Sequence, residues 1–175
     1  MRSPSTIFHR LAALLRELWA SRLHVGAFDF KAQDLRRLAM SLEDPSPSDG
    51  SATSAEQATY VRLMQTARES PQLAIVQGWE SITELLDALA IQQGRPTGRH
   101  PLQLLNSLEQ TRQLSFLEYA LLRDLLALRS EAMTIPASTL STTAALDYAV
   151  AIRRGQRLLS RLAADMARVS VRKAH

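Results

Sequence analysis

The chain has 175 residues, which is enough for one domain with a sizeable core and a smaller appendage. It contains no cysteine, so disulfides, thiolate catalysis and cysteine-ligated metal centres are excluded. Its four histidines are widely scattered (His9, His24, His100 and His175), and we expect neither a histidine metal site nor a cofactor. No run of about 18 apolar residues occurs, so the sequence predicts no membrane-spanning helix.

Charge is divided unevenly along the chain, whose formal net charge is +4. Residues 1–24 hold four arginines and one glutamate, a net charge of +3. Residues 150–175 hold six arginines and one lysine against one aspartate, a net charge of +6, so the residues between these ends carry −5. Basic ends and an acidic middle predict attraction between segments, within or between chains, as readily as attraction to nucleic acid.

The N-terminal segment, residues 1–43, is predicted to contain two helices joined by a short extended piece. An apolar seam over residues 7–19 indicates an amphipathic helix with a basic polar face, which would pack on protein or lie on an anionic membrane surface. Residues 23–30 (LHVGAFDF) favour an extended conformation, and a second helix is expected over 32–42. No secretory signal is recognisable, so we expect a cytoplasmic protein.

A domain boundary is predicted at residues 44–53 (DPSPSDGSAT), which have no apolar residue larger than alanine and should form a flexible linker. Residues 54–175 are helical in pattern and are predicted to form a bundle domain. Its helices are expected at 54–68, 71–93, 101–112, 115–132 and 141–168. The last four predict an antiparallel four-helix bundle, with the first helix packed across it.

The helix at 115–132 is predicted to be central in this bundle. Ser115 and Glu118 form a capping-box pattern at its start. Leucines recur along it at intervals of three and four, so most of the helix must face other helices. They are Leu117, Leu121, Leu125 and Leu128. Gly155, inside the last helix, costs about 1 kcal/mol relative to alanine and predicts the close approach of another helix.

A resemblance to a known family rests on three stretches: SPQLAIVQGWESITELLDALA, LRDLLALRSEAMT and AALDYAVAIRRGQRLL. Together they cover roughly residues 68–165, and this region is similar to the HEPN-type helical bundles and the poorly characterised bacterial domains close to them. In that family the third helix commonly ends in an Arg-Asn-x-x-x-His motif. The corresponding positions here are Arg129, Ser130 and Thr134.

The resemblance implies a bundle that is usually dimeric and that, in active members, cleaves RNA with the arginine and histidine of the motif. Threonine cannot replace an imidazole as general acid or base near pH 7, so the incomplete motif argues against enzymatic activity. Arg129, Ser130 and Thr134 are then a vestigial motif. Arg129 also fits a structural role near the negative end of the helix, paired with Glu131, Asp124 or a neighbouring helix.

Two further charge patterns occur in the bundle region. Three carboxylates share one face of the helix at 71–93, where we expect a solvated acidic surface. They are Glu80, Glu84 and Asp87. Three arginines of the last helix recur at intervals of four and could contact a phosphate backbone or an acidic partner, although no aromatic residues for base stacking accompany them. They are Arg153, Arg157 and Arg161.

The sequence therefore favours a non-catalytic helical protein-interaction domain. Its expected partner is another protein or a second copy of the chain, with a membrane surface as a further candidate for residues 7–19. The alternative is an RNA-binding or weakly RNA-cleaving HEPN-type protein that uses Arg129 and the C-terminal arginines. Nucleic acid is the less favoured partner, because a charge run is most often a solvated face.

Overall fold

The computed structural model describes residues 26–42, 54–95 and 100–173. All regular structure in these ranges is helical, which confirms the predicted all-α class. Residues 26–41 form α1, and the later helices are α2 (Ser54–Glu69), α3 (Pro71–Gln92), α4 (Pro101–Gln110), α5 (Phe116–Ala132) and α6 (Thr142–Lys173), with a 3-10 turn at Ala137–Thr139. Within the described ranges, no helix has the length and apolarity needed to cross a membrane.

Most helix ends follow local signals in the sequence. The hydroxyl of Ser115 accepts a hydrogen bond from the Glu118 amide, and the Glu118 carboxylate accepts one from the Ser115 amide, which confirms the capping box. Proline occupies the first turn of α3 and of α4, and Ser70, which immediately precedes α3, makes no side-chain hydrogen bond to cap that helix. Gly94 follows α3 with a φ of +66°, a conformation that glycine adopts without steric cost.

The first described helix, α1, corrects the expectation for residues 23–30. Residues 26–30 are helical rather than extended, and they continue into the helix predicted further on. Four apolar residues of α1 recur at helical spacing and are buried: Phe28, Ala32, Leu35 and Ala39. This burial outweighs the weak local preference for extended backbone. The predicted helix at 7–19 and linker at 44–53 lie outside the described residues.

Helix α1 belongs to the same hydrophobic core as the helices that follow it. Three polar pairs also fix it against the later part of the chain: Asp29 with Ser141, Lys31 with Glu131 and Arg36 with Asp147. Asp147 is buried, and Arg36 Nη1 lies 2.8 Å from its Oδ1, so the carboxylate is not left without a partner. The second helix of the N-terminal segment is therefore a structural part of the bundle.

Glycines allow α3 and α6 to approach each other closely. A Cβ atom at Gly155 would lie 3.1 Å from Ile82 Cδ1 and 3.2 Å from Leu122 Cδ2, which confirms the close approach predicted at this position. On α3, a Cβ atom at Gly78 would lie 3.0 Å from Ile152 Cγ1. Each helix thus packs an isoleucine against the glycine of the other.

The directions of the core helices follow from the order of their contacts. Successive residues of α3 meet successive residues of α6, in the pairs Gly78–Ile152, Ser81–Gln156 and Gln93–Met166. Partners on α5 and α6 come in opposite order, in the pairs Leu125–Tyr148 and Glu118–Arg161. The predicted antiparallel order therefore holds for α5 and α6 but not for α3 and α6. Helix α4, with 10 residues against 22 in α3, is too short to act as a full-length return helix.

Helix α5 packs in the core along most of its length but not with its first turn, and the prediction that it is the central helix is wrong, because the most extensive helix pairing is that of α3 with α6. Leu121, Leu125 and Leu128 are buried and pack in the main core. Leu117, which the spacing predicts on the same face, is 48% exposed, and the neighbouring Phe116 is 71% exposed. The capping box therefore holds the start of the helix at the rim of the core, where the side chains of Phe116 and Leu117 remain exposed.

Candidate functional site

An open cleft of about 600 Å³ lies between α3, α4 and α5 and is here called the acidic cleft. Helix α3 contributes one wall, and the start of α4 and the second half of α5 contribute the other. The lining residues are Trp79, Glu80, Thr83, Glu84, Asp87, His100, Pro101, Leu126, Arg129 and Ser130. Its volume is typical of a ligand site, although an open shape of this kind also suits a segment of another protein.

The wall on α3 follows directly from helical geometry. Glu80, Glu84 and Asp87 are spaced by four and three residues, so their carboxylates project from one face of the helix. Glu80 and Glu84 are exposed, in agreement with the solvated acidic surface expected from the sequence. Trp79, beside them, is buried, and together with Leu126 of α5 it forms the apolar base of the cleft.

Arg129 lies in the opposite wall and does not make the ion pairs that its sequence neighbours suggest. Asp124 is paired with Arg123, and Glu131 is paired with Lys31. The Nε atom of Arg129 is buried and has no hydrogen-bond partner among the described residues. The predicted pairing of Arg129 with Glu131 or Asp124 is therefore wrong, whereas its predicted position in the last turn of α5, near the negative end of the helix dipole, is confirmed.

Two of the three positions of the vestigial motif line the acidic cleft, and the third does not. Arg129 and Ser130 both line the acidic cleft, with the Ser130 hydroxyl donating to the carbonyl oxygen of Leu126 at 2.9 Å. Thr134 is not among the lining residues. It lies in the turn after α5, and its hydroxyl donates to the carbonyl oxygen of Glu131 at 2.7 Å.

A histidine from elsewhere in the sequence enters the cleft instead. His100 immediately precedes α4, and its Nδ1 accepts a hydrogen bond from the Leu102 amide at 3.4 Å, which caps the helix. The same residue lines the cleft that contains Arg129. The sequence gives no signal that His100 and Arg129 are close in space, because they belong to different elements and no motif links them.

The composition of the cleft decides which chemistry it can support. Its charged residues are three carboxylates and one guanidinium, so a cationic group is favoured over a polyanion. The carboxylates do not form a metal site, since no group of three potential ligands within metal-binding reach occurs among the described residues. What remains is an acidic groove with an apolar base and one arginine.

A second depression, here called the arginine pocket, has a volume of about 170 Å³ and lies between α1, α2 and α6. Its lining residues are Ala39, Met40, Tyr60, Val150, Arg153, Arg154 and Arg157. Two of the three predicted anion-contact residues, Arg153 and Arg157, therefore meet here. The third, Arg161, turns away and forms a salt bridge with Glu118 of α5.

Arg154 extends the basic surface of the arginine repeat in the sequence, and it also lines the pocket. The four-residue spacing selects positions 153, 157 and 161 and passes over it. The Nε atom of Arg154 is buried and has no hydrogen-bond partner among the described residues. Arg153 is held in place by Gln57, whose Oε1 accepts from its Nη2 at 2.9 Å, and by the ring of Tyr60, 4.4 Å from its Cζ.

Comparison of the chain with protein-family models, with curated proteins and with solved structures gives no match.

Proposed function

We propose that this chain is a non-catalytic helical protein-interaction domain whose acidic cleft receives a basic segment of a partner protein. The observation that carries the proposal is the alignment of three carboxylates, Glu80, Glu84 and Asp87, along one wall of an apolar-based groove. Lysine or arginine side chains of the partner would pair with these carboxylates. Its apolar residues would contact Pro101 and Leu126, so that charge gives specificity and apolar burial gives affinity.

The non-catalytic part of this proposal rests on the separation of the motif residues. Thr134 lies outside the cleft that holds Arg129, and it has no group that transfers protons near neutral pH. Asp87, Glu84 and Glu80 line the same cleft as the arginine that would have to hold a phosphate. Their charge opposes the approach of an RNA backbone.

The proposal is tested with the full chain as bait in an extract of the source cells, using two variants of matched charge change. Glu84→Lys reverses a charge inside the acidic cleft, and Glu69→Lys reverses an exposed charge on α2, outside the cleft. We expect a partner that is retained by the wild type and by Glu69→Lys and is lost with Glu84→Lys. Its basic segment, made as a peptide, should then bind the purified wild type and not Glu84→Lys.

Equal retention of every bound protein by both variants would place the interaction on another surface and overturn the role of the cleft. Circular dichroism of each variant excludes loss of structure as the cause of lost binding. Because Glu84 is exposed, we expect Glu84→Lys to change the free energy of unfolding by less than about 0.5 kcal/mol.

A second copy of the chain is one partner that meets the charge requirement, since residues 1–24 and 150–175 are basic and the acidic cleft belongs to the middle of the chain. Self-association is therefore part of the proposal. Sedimentation velocity should then show a dimer whose population falls as salt is raised, because exposed charge pairs are screened. If the chain is a monomer at every protein and salt concentration, self-association is excluded and the partner must be another protein.

Kinship with the HEPN-type bundles is also proposed, in a degenerate and non-catalytic form. Arg129 near the end of α5, its opening onto a cleft and the buried Tyr148 on the next helix support it. The parallel direction of α3 and α6 differs from the antiparallel order of a simple four-helix bundle, and this difference counts against the kinship. An experimental structure of the dimer would test the idea, since kinship expects the two Arg129 clefts to face each other across the interface.

RNA binding is the second candidate function, and one observation favours it. Arg129 and His100, a phosphate-binding cation and a potential proton-transfer group, line the same cleft. Binding and cleavage of RNA should be measured at about 50 and 200 mM salt with Arg129→Ala alongside, because phosphate contacts weaken steeply over that range. Cleavage by the wild type that is lost with Arg129→Ala would replace the interaction proposal with an enzymatic one.

Membrane contact through residues 7–19 is a further proposal and rests on the sequence pattern alone. Co-sedimentation with anionic and with neutral vesicles should distinguish the full chain from the double variant Leu11→Glu, Leu14→Glu, because the two carboxylates interrupt the apolar seam. Binding to anionic vesicles that survives both substitutions would show that the seam is not the membrane contact.

A further inference from the structure

The arginine pocket concentrates positive charge, and no carboxylate of the described residues lines it. Three arginines line it, and none of the salt bridges among the described residues involves them. The nearest buried carboxylate on α6, Asp147, is already paired with Arg36 of α1. Like charges gathered in one small depression repel each other, so the native fold bears a cost that a bound anion would relieve.

One of these arginines is held in place before any ligand arrives, and another has a buried donor that lacks an acceptor. Arg153 is fixed between Gln57 and the ring of Tyr60. Arg154 has its Nε atom buried without a partner, an uncommon state for a charged group and one that a hydrogen-bond acceptor in the pocket would satisfy. Arg157, one turn further along α6, is exposed and lies at the mouth of the pocket.

We infer that the arginine pocket is a binding site for the phosphate or diphosphate group of a small soluble molecule. The volume of about 170 Å³ equals roughly five or six water molecules at about 30 Å³ each, which suits a compact oxyanion rather than a folded segment. Guanidinium groups bind phosphate oxygens through paired N–H donors, and three of them match the several oxygens and the charge of a phosphate better than those of a carboxylate.

This inference is independent of the proposed interaction through the acidic cleft, because the two sites share no lining residue. Failure of one leaves the other standing. The pocket lies against α1, which supplies Ala39 and Met40, so a bound anion would also join α1 and α2 to α6. Binding should therefore raise the temperature of unfolding as well as produce heat.

The test is calorimetric titration of the full chain with inorganic phosphate and with pyrophosphate, and with malonate as a carboxylate control at equal ionic strength. Arg157→Gln removes an exposed arginine of the pocket and should leave the fold intact. Arg154→Gln removes the buried one. Arg168→Gln removes an exposed arginine of the same helix outside the pocket and is the matched control.

We expect saturable binding of pyrophosphate at one site, weakened about tenfold or more by either pocket substitution and less than twofold by Arg168→Gln. Arg157→Lys should recover part of the affinity, because lysine keeps the charge and loses the paired donors. Equal binding of malonate, equal loss with Arg168→Gln or the absence of saturable binding would each overturn the inference.

Discussion

The start of α5 shows how two side chains fix a helix end at the surface. Ser115 and Glu118 exchange hydrogen bonds with each other's amides, and Arg161 of α6 reaches the same Glu118 carboxylate. The capping box is therefore also the point at which α5 is joined to α6. A local signal in the sequence thus has a tertiary partner 43 residues away that the sequence does not indicate.

Replacing Ser115 with alanine should lower the free energy of unfolding by about 1 kcal/mol, because an amide in the first turn of α5 loses its acceptor. Urea denaturation followed by circular dichroism measures this change. Ser130→Ala is the control, since its hydroxyl bonds only to the carbonyl oxygen of Leu126 within the same helix, and we expect a change within about 0.5 kcal/mol. Equal effects of the two substitutions would contradict the capping role.

Glu118 should make stability depend on pH in the acidic range. Burial raises the pKa of Glu118, but hydrogen bonds from Ser115 and the charge of Arg161 outweigh this, so that its net pKa lies below the usual 4.5. Because the folded pKa is the lower one, its contribution to stability is complete above 4.5 and is lost as the pH falls through the folded value. The difference in unfolding free energy between wild type and Glu118→Gln should therefore shrink below pH 4.5. A constant difference across this range would contradict the assignment.

At the scale of helices, α1 is the element whose attachment depends most on a single buried charge. Removing Arg36 leaves the Asp147 carboxylate buried without its partner, so Arg36→Ala should lower the free energy of unfolding by about 1–3 kcal/mol. Arg37→Ala is the matched control on the next residue. Its partner Asp34 is exposed, and we expect a change below about 0.5 kcal/mol. Similar losses for the two variants in urea denaturation would show that the burial of Asp147 is not the cause.

An added methyl group should be destabilising at Gly155, where α6 packs closely against its neighbours, and stabilising at Gly26 of α1, where there is open space. Gly155→Ala places a Cβ atom within 3.3 Å of three buried side chains, and we expect the crowding to exceed the gain in helix propensity and to cost about 1 kcal/mol. Gly26→Ala meets nothing within 4 Å in α1 and should stabilise by up to about 1 kcal/mol. Thermal unfolding that shifts in the same direction for both would contradict the close approach.

For the whole molecule, much of the helical structure is readable from the sequence and the arrangement of the helices is not. Prolines and the capping box place α3, α4 and α5 within two residues of their predicted bounds. The predicted extended conformation is wrong for residues 26–30, because these residues are helical and the burial of Phe28 depends on helices far away in the chain. The spacing of residues shows which of them share one face of a helix. It does not show which other helix packs on that face.

The candidate sites show the same division. The carboxylates at Glu80, Glu84 and Asp87 are evident from their spacing, whereas their position opposite Arg129 and His100 depends on how α4 and α5 pack. Arg153 and Arg157 are found by the four-residue repeat and Arg154 by its place on the same basic surface, whereas their meeting in one pocket depends on where α1 and α2 lie. Local patterns therefore identify side chains with chemical potential, and tertiary packing decides which of them act together.

The parallel pairing of α3 with α6 has a consequence for how the chain folds. Ser81 and Gln156, which bond across this pair, are 75 residues apart in the sequence. Most helical bundles fold rapidly because their contacts are local, but here a central contact requires the closure of a long loop. During synthesis on the ribosome, the part of α3 that packs on α6 stays uncovered until α6 has emerged, and exposed apolar surface of this kind is what chaperones bind.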